Sequence, residues 1–579
     1  MKKLNKLLVY IALATMPMLF SHCTLTEDLT KLKTSLDSVK IALGTPEFKS
    51  LVHFQFVDAK TKQYIADVAT VQISGKNASA VYTTLGQSAT TCSTQMGMLD
   101  LVLDPHQVDT ATIAANPLEF DITVTLTGYV TATQKVVFNE NKIKVVTVSL
   151  INMSNLPSGV SVSKSTNFAS TSSTGATSQI ASTTLNSGAQ LVEIPKSVVL
   201  KDVAGNPVTG TINSQIVFYS PTDSTAKAAI PGGLDVSAKL ADGSTGNIQF
   251  VTAGMYGVSL TSGNQQVKTF ENGGLHIKTK IDPAMINPKT GVAVKENDVI
   301  EMWSKEEGTG AWKFEKMDTV RKVGSDLVLE ETVQHLSDWN WDFFTNSCTL
   351  GPKIIFKGDV GNVSGTVSTN VYAWDFHKLD YFTAKPGDPY YGFIQLYRTP
   401  KNSPATLTFA SPTPGVVFTP SQLSISDLCG GTYEVTISSS TNSNVLTVNT
   451  DIGLSSASQS NLTIKPNAAI YLRRSGASSN WVLNSMINGV ASLSIELGAD
   501  YDIFAMYGSS NAVAKLRVDN APNNMLVVTC TPTVNAGSTS TTVMLPPIPK
   551  PANNTITVKY NIVLSDNVFS SLKSIATKL

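Results

Sequence analysis

Charge is scarce in this chain: Asp, Glu, Lys and Arg make up only 15% of its 579 residues, against a usual share of about 25%. A basic stripe for nucleic acid and a strongly charged disordered chain both need more. The 43 basic residues match the 43 acidic ones, so no field of one sign steers an anionic partner, and no nucleic acid is expected. Gly at 38 and Pro at 26 are ordinary, which excludes collagen-like and proline-rich low-complexity chains. Apolar runs are short as well. Beyond the N-terminus none reaches the roughly 18 residues that a transmembrane helix needs. Six histidines and five cysteines leave metal and redox chemistry few ligands. There is no H-E-x-x-H zinc helix, no G-x-S-x-G elbow, no Walker loop, no EF-hand loop and no C-x-x-C. The expectation is a non-enzyme with no cofactor and no metal.

What is present begins at the N-terminus. Lys2, Lys3 and Lys6 precede an apolar stretch of 14 residues at 7–20, the proportions of a signal peptide. It runs into Leu19-Phe20-Ser21-His22-Cys23. An apolar core ending in a lone Cys resembles a bacterial lipoprotein signal, which implies removal of residues 1–22 and lipid attached to Cys23. His22 stands where that family prefers a small residue, and ordinary cleavage leaving a free Cys23 is the alternative. Loss of residues 1–22 leaves 40 basic and 43 acidic residues, a formal charge of −3. Glu27-Asp28 just after the Cys resembles the surface-export signal of Bacteroidota lipoproteins. The short motifs Asp37-Ser38-Val39, Asp109-Thr110-Ala111 and Asp318-Thr319-Val320 resemble the O-glycosylation motif of that group. Together these imply an outer-membrane protein, lipid-anchored and facing the cell surface.

Residues 23–48 read as a lipidated tether with one helix over 24–44. Thr24 and Glu27 form a capping box, and Leu25, Leu29, Leu32, Leu36, Val39 and Leu43 follow spacings of four and three. Such a helix is either an oligomerising stalk or an amphipathic segment lying on its own first domain or on a partner. From residue 50 the period becomes two: Val52, Phe54 and Phe56 alternate with His53 and Gln55, and Ile122, Val124 and Leu126 with Thr123 and Thr125. That is the pattern of strands with one buried and one wet face. The fold class expected is all-β: several tandem β-sandwiches, Ig-like or transthyretin-like, behind the signal peptide and short helix.

Residues 49–152 resemble a carboxypeptidase-regulatory-like domain, a transthyretin-like sandwich. The resemblance rests on the opening strand, the turn Asp58-Ala59-Lys60-Thr61, the strand at 71–73, Gly128-Tyr129 and the closing strand. Residues 153–190, rich in Ser and Thr, read as a linker. Residues 191–346 carry the most specific series: Gly205-Asn206-Pro207, Asp242-Gly243, Trp303, Trp312 and the close His335-Leu336-Ser337-Asp338-Trp339-Asn340-Trp341-Asp342. Their order resembles a β-sandwich module of bacterial surface proteins and of cartilage intermediate layer protein, which implies a structural or adhesive role. Two more β domains follow, at 347–455 and 456–579.

Candidate sites are few. His53 and His276 fall on the wet faces of strands, and His335 in the closing motif reads as a packed structural residue. The adjacent pairs Glu306-Glu307 and Glu330-Glu331 suit solvated surface, because neighbours on a strand point to opposite faces. Trp303, Trp312 and Trp339 read as core. Tyr372, Trp374, Tyr381, Tyr390 and Tyr391, in what reads as a long loop, form a possible binding surface for a sugar ring or a protein; packing is the alternative. Cys92, Cys348, Cys429 and Cys530 admit three pairings, and sequence does not choose among them. The functional expectation is a non-enzymatic surface lipoprotein that binds or scaffolds. Its partner would be an outer-membrane protein or an extracellular polymer. The alternative is a glycan-binding accessory protein of a nutrient-uptake system.

Overall fold

A computed structural model describes residues 41–44 and 50–566 apart from short internal stretches, among them 109–112, 306–310, 372–375, 440–443, 477–480 and 534–542. The expected signal peptide, Cys23 and the tether up to residue 40 lie outside the described residues. At the end of the expected helix the chain is a strand instead: Ile41–Gly44 runs parallel to Leu462–Lys465 of the last sandwich. Pairing with a sheet edge satisfies backbone groups that a single turn of helix would leave partly unpaired. No described helix is long and apolar enough to cross a membrane.

The alternating segments form sandwiches, as expected of an all-β chain. In Leu118–Thr125 the four residues Leu118, Phe120, Ile122 and Val124 are buried and those between them are not. They meet Val52, Phe54 and Phe56 from the opposing sheet to form the first core. Each large side chain so buried contributes roughly 1.5–3 kcal/mol. The sheet carrying Leu51–Asp58 sets it between Met98–Leu103, antiparallel, and Lys144–Leu150, parallel.

The segment 153–190 is not a linker. It holds Val160–Thr171, antiparallel to Gly210–Tyr219, and Ala181–Leu185, antiparallel to Gln190–Ile194. Phe168, Ala169, Ala181 and Leu185 reach the second core; Thr171 and Thr177 are buried with them, and Ser170, Ser172, Thr174, Ser178, Ser182 and Thr184 are exposed. Thr suits a pleated, half-exposed surface, so polarity there marked an outer face rather than a loss of structure.

The second and third sandwiches share a strand. Asp338–Lys357 pairs first with Thr245–Ser262 and Val299–Lys305, then with Phe393–Pro400 and Thr432–Ser439. The expected boundary at 346/347 therefore falls inside one continuous strand. Its register shifts between Leu350 and Lys353, around Gly351-Pro352, where a Cβ on Gly351 would stand 2.7 Å from Thr399 Oγ1. A bulge of this kind bends a strand without ending it. The fourth sandwich starts earlier than 456, because Val445–Ser456 pairs with Val490–Glu496 and Thr555–Leu564.

Two further clusters lie between sandwiches. Ala59, Val130 and Ile151 of the first pack with Phe250, Trp303 and Trp312 on the outer face of the second. Trp303 and Trp312 are buried as expected, but in this seam; Trp339 and Trp341 lie in the second core. Met98 of the first sandwich packs with Tyr471, Trp481, Leu483 and Phe504 of the fourth. This second seam explains why all eight residues of Leu51–Asp58 are buried. The face expected to be wet is covered by the fourth sandwich. His53, 0% exposed, is thus an interior residue: its Nδ1 lies 2.6 Å from Asp100 Oδ1 and also contacts the Tyr471 hydroxyl.

Candidate functional site between the first and third sandwiches

A third seam holds a cavity of about 100 Å³. One wall is the turn between Ala132–Phe138 and Lys144–Leu150 of the first sandwich; the other is Phe376–Ala384 and Phe393–Pro400 of the third. Phe376–Ala384 is a strand paired with Val363–Val371, so the described part of the aromatic segment read as one long loop is mostly strand. Among the described residues of the segment it leads into a turn around Lys385–Tyr391, closed by Lys385 N donating to Tyr391 O at 2.9 Å.

Two of the five aromatic candidates line this cavity: Tyr381, half-buried, and Tyr391, 5% exposed. Burial pushes the Tyr391 hydroxyl up to about 12, with Asp388 adding to the effect. Tyr372, Trp374 and Tyr390 lie outside the described residues.

The chemistry of the cleft is supplied mostly by charge. Lys142 Nζ donates to the Phe393 carbonyl at 2.7 Å, lies 3.4 Å from Glu140 Oε2 and sits 3.8 Å over the Phe393 ring. Lys353 approaches the same ring at 4.0 Å. Lys144 Nζ donates to Val137 O at 2.6 Å. Lys378 Nζ donates to Tyr397 O at 2.9 Å and lies 3.5 Å from Asp380 and 3.9 Å from Asp235. Burial pushes the ammonium pKa of Lys142 and Lys144 down and the carboxyl pKa of Glu140 and Asp235 up. Loss of water disfavours whichever form is charged.

A second polar cluster is sealed inside the second sandwich. Asp342, 0% exposed, is the strand partner of both Glu301 and Thr252. Neither Asp342 oxygen has a well-aligned partner among the described residues. Burial holds its carboxyl pKa well above the usual range, and Glu301 pushes the same way. Lys289 Nζ reaches Glu301 Oε1 at 2.8 Å. Both carboxylates are buried, Asp342 at 0% and Glu301 at 3% exposed.

The remaining candidates are dispersed. His276 is half-buried and 3.0 Å from Glu330, whereas Glu331 contacts Lys316; the two neighbouring carboxylates have different partners. His335 stacks on Trp339 at 4.7 Å. Cys348 and Cys429 form a disulfide with Cα atoms 5.6 Å apart, and Cys92 is a free thiol whose pKa burial raises. Glu306-Glu307 and His106 lie outside the described residues. Those residues contain no group of three or more His, Cys, Asp or Glu placed to hold a metal ion. Sequence reasoning missed Glu140, Lys142 and Lys144. Their only signal was alternating charge at the mouth of a strand, which usually marks solvated surface.

No protein-family model matches the chain, and no curated protein does. Among solved structures, a streptococcal ancillary pilin is similar at 9% identity and a TM-score of 0.14, over 48% of this chain and 95% of that one. The Bacillus anthracis TIE protein is similar at 10% identity and a TM-score of 0.13, over 71% of this chain and 59% of that one. A shaft pilin of Lactobacillus rhamnosus GG gives 8% identity and a TM-score of 0.15, over 37% of this chain and 99% of that one. Superpositions this loose assign nothing to the chain; its class, an all-β protein of tandem sandwiches, rests on its own strand pairing.

Proposed function

We propose that this chain is a non-enzymatic cell-surface component that binds or scaffolds, held at an outer membrane by lipid on Cys23. The observation that carries the reading is the convergence of three seams on the first sandwich, which touches the second through Trp303 and Trp312, the third through Lys142 and the fourth through His53. Sandwiches fixed in this way hold their end loops in one relative arrangement, the property a scaffold needs. The partner is an outer-membrane protein or an extracellular polymer.

Gentle detergent purification from native membranes, with wild type beside Cys23→Ala, tests this. A stoichiometric outer-membrane protein retained by wild type and lost from the variant supports a subunit positioned by its anchor. A protein that fractionates with the cytosol and retains nothing overturns the proposal. A glycan-binding accessory role is the second reading, favoured by the tyrosines of the polar cleft; soluble polysaccharides that fail to retard the protein in a native gel would refute it.

A further inference from the structure

We infer that the cleft between the first and third sandwiches is a binding site for an oxyanion, either a free ion or the acidic group of a surface polymer. This goes beyond the scaffolding role and does not depend on it. Four ammonium groups, Lys142, Lys144, Lys353 and Lys378, gather around Phe393 and the cavity, whereas the nearest carboxylates are Glu140 and Asp380. Asp235 is shared between Lys378 and Arg398, at 3.9 Å from each, and Asp388 lies by Lys385 at 4.0 Å.

Lys144 decides the sign. It makes no ion pair with any described carboxylate, and its hydrogen-bond partner is the single carbonyl of Val137. Glu140 and Asp380 act on it from beyond ion-pair distance, and an ammonium drawn out of water without a close counter-charge is costly. Lys142 and Lys353 add to the excess by presenting two like charges to one phenyl ring. An oxyanion within reach of Lys144 and Lys142 accepts their remaining N–H groups and offsets both charges. The cavity of about 100 Å³ well exceeds the roughly 10–15 Å³ of such space that holds one water, and has room for one small oxyanion. Glu140 and Asp380 narrow the choice, since they repel a second anionic group and accept hydrogen bonds from hydroxyls.

The test is thermal unfolding of the whole chain at constant ionic strength, with chloride exchanged first for sulfate and then for polyglucuronate. A ligand that binds only the folded state raises Tm in a saturable way. Wild type should show that rise, with the half-saturating concentration at least tenfold higher in Lys144→Met. Lys142→Gln is the second variant should Lys144→Met fail to fold by circular dichroism. A rise with sulfate alone assigns the site to a free ion; a rise with polyglucuronate at far lower concentration assigns it to a polymer's acidic group. No saturable rise with either, or the same rise in the folded variant, overturns the inference. Neither result touches the purification experiment, so the two ideas fail separately.

Discussion

His53 Nδ1 and Asp100 Oδ1 meet at 2.6 Å inside the first sandwich, and the Tyr471 hydroxyl closes on the same nitrogen from the fourth. The Tyr471 hydroxyl also donates to Asp100 Oδ1 at 3.4 Å, so all three buried groups share one network. The arrangement gives a polar register mark to a seam that is otherwise apolar, built from Met98, Trp481, Leu483 and Phe504.

His53→Ala takes the imidazole from buried Asp100 and leaves it the Tyr471 hydroxyl at 3.4 Å, a loss expected to destabilise by about 1–3 kcal/mol. Tyr471→Phe removes one hydroxyl and should cost about 1 kcal/mol. Chemical denaturation followed by tryptophan fluorescence measures both. Equal, negligible effects would mean that the seam does not depend on this network.

Asp342 makes a prediction of opposite sign. Its folded pKa lies above the unfolded value near 4, so its contribution to stability is fully present below about pH 4 and is lost as pH rises toward the raised value. Asp342→Asn removes that loss and should stabilise the protein at neutral pH by about 1–3 kcal/mol. The gap between variant and wild type should widen from pH 4 to pH 7 in urea titrations. A variant less stable than wild type at pH 7 contradicts the account.

The disulfide joins residues 81 apart in sequence and ties the shared strand to the segment before Thr432–Ser439. Alkylation of the folded protein without reductant should leave Cys348 and Cys429 unmodified by mass spectrometry. Reduction should destabilise the third sandwich by about 2–5 kcal/mol. Modification of either cysteine before reduction would refute the pairing.

Much of the fold was legible in the sequence because a period of two survives wherever one sheet face is wet, as in Leu118–Thr125. It failed where a second sandwich covers the other face. His53 and Gln55 read as solvent-facing because nothing near them in sequence reports the fourth sandwich more than 400 residues away. The Ser/Thr composition of 153–190 hid two strands for a related reason: their cores are supplied by distant partners. The cleft was half visible. Tyr381 and Tyr391 drew attention as aromatics, but the charges that define the site come from Glu140, Lys142 and Lys144, brought there by a contact between residues 251 apart. Only tertiary packing turns such surface-like charges into buried ones.

Three seams join the four sandwiches into one body around the first. Small-angle X-ray scattering of the mature chain tests it most directly. A single-peaked distance distribution, unchanged between low and high salt, is the expected result. A distribution with several maxima at the spacing of separate sandwiches, lengthening as in a flexible string, would contradict it.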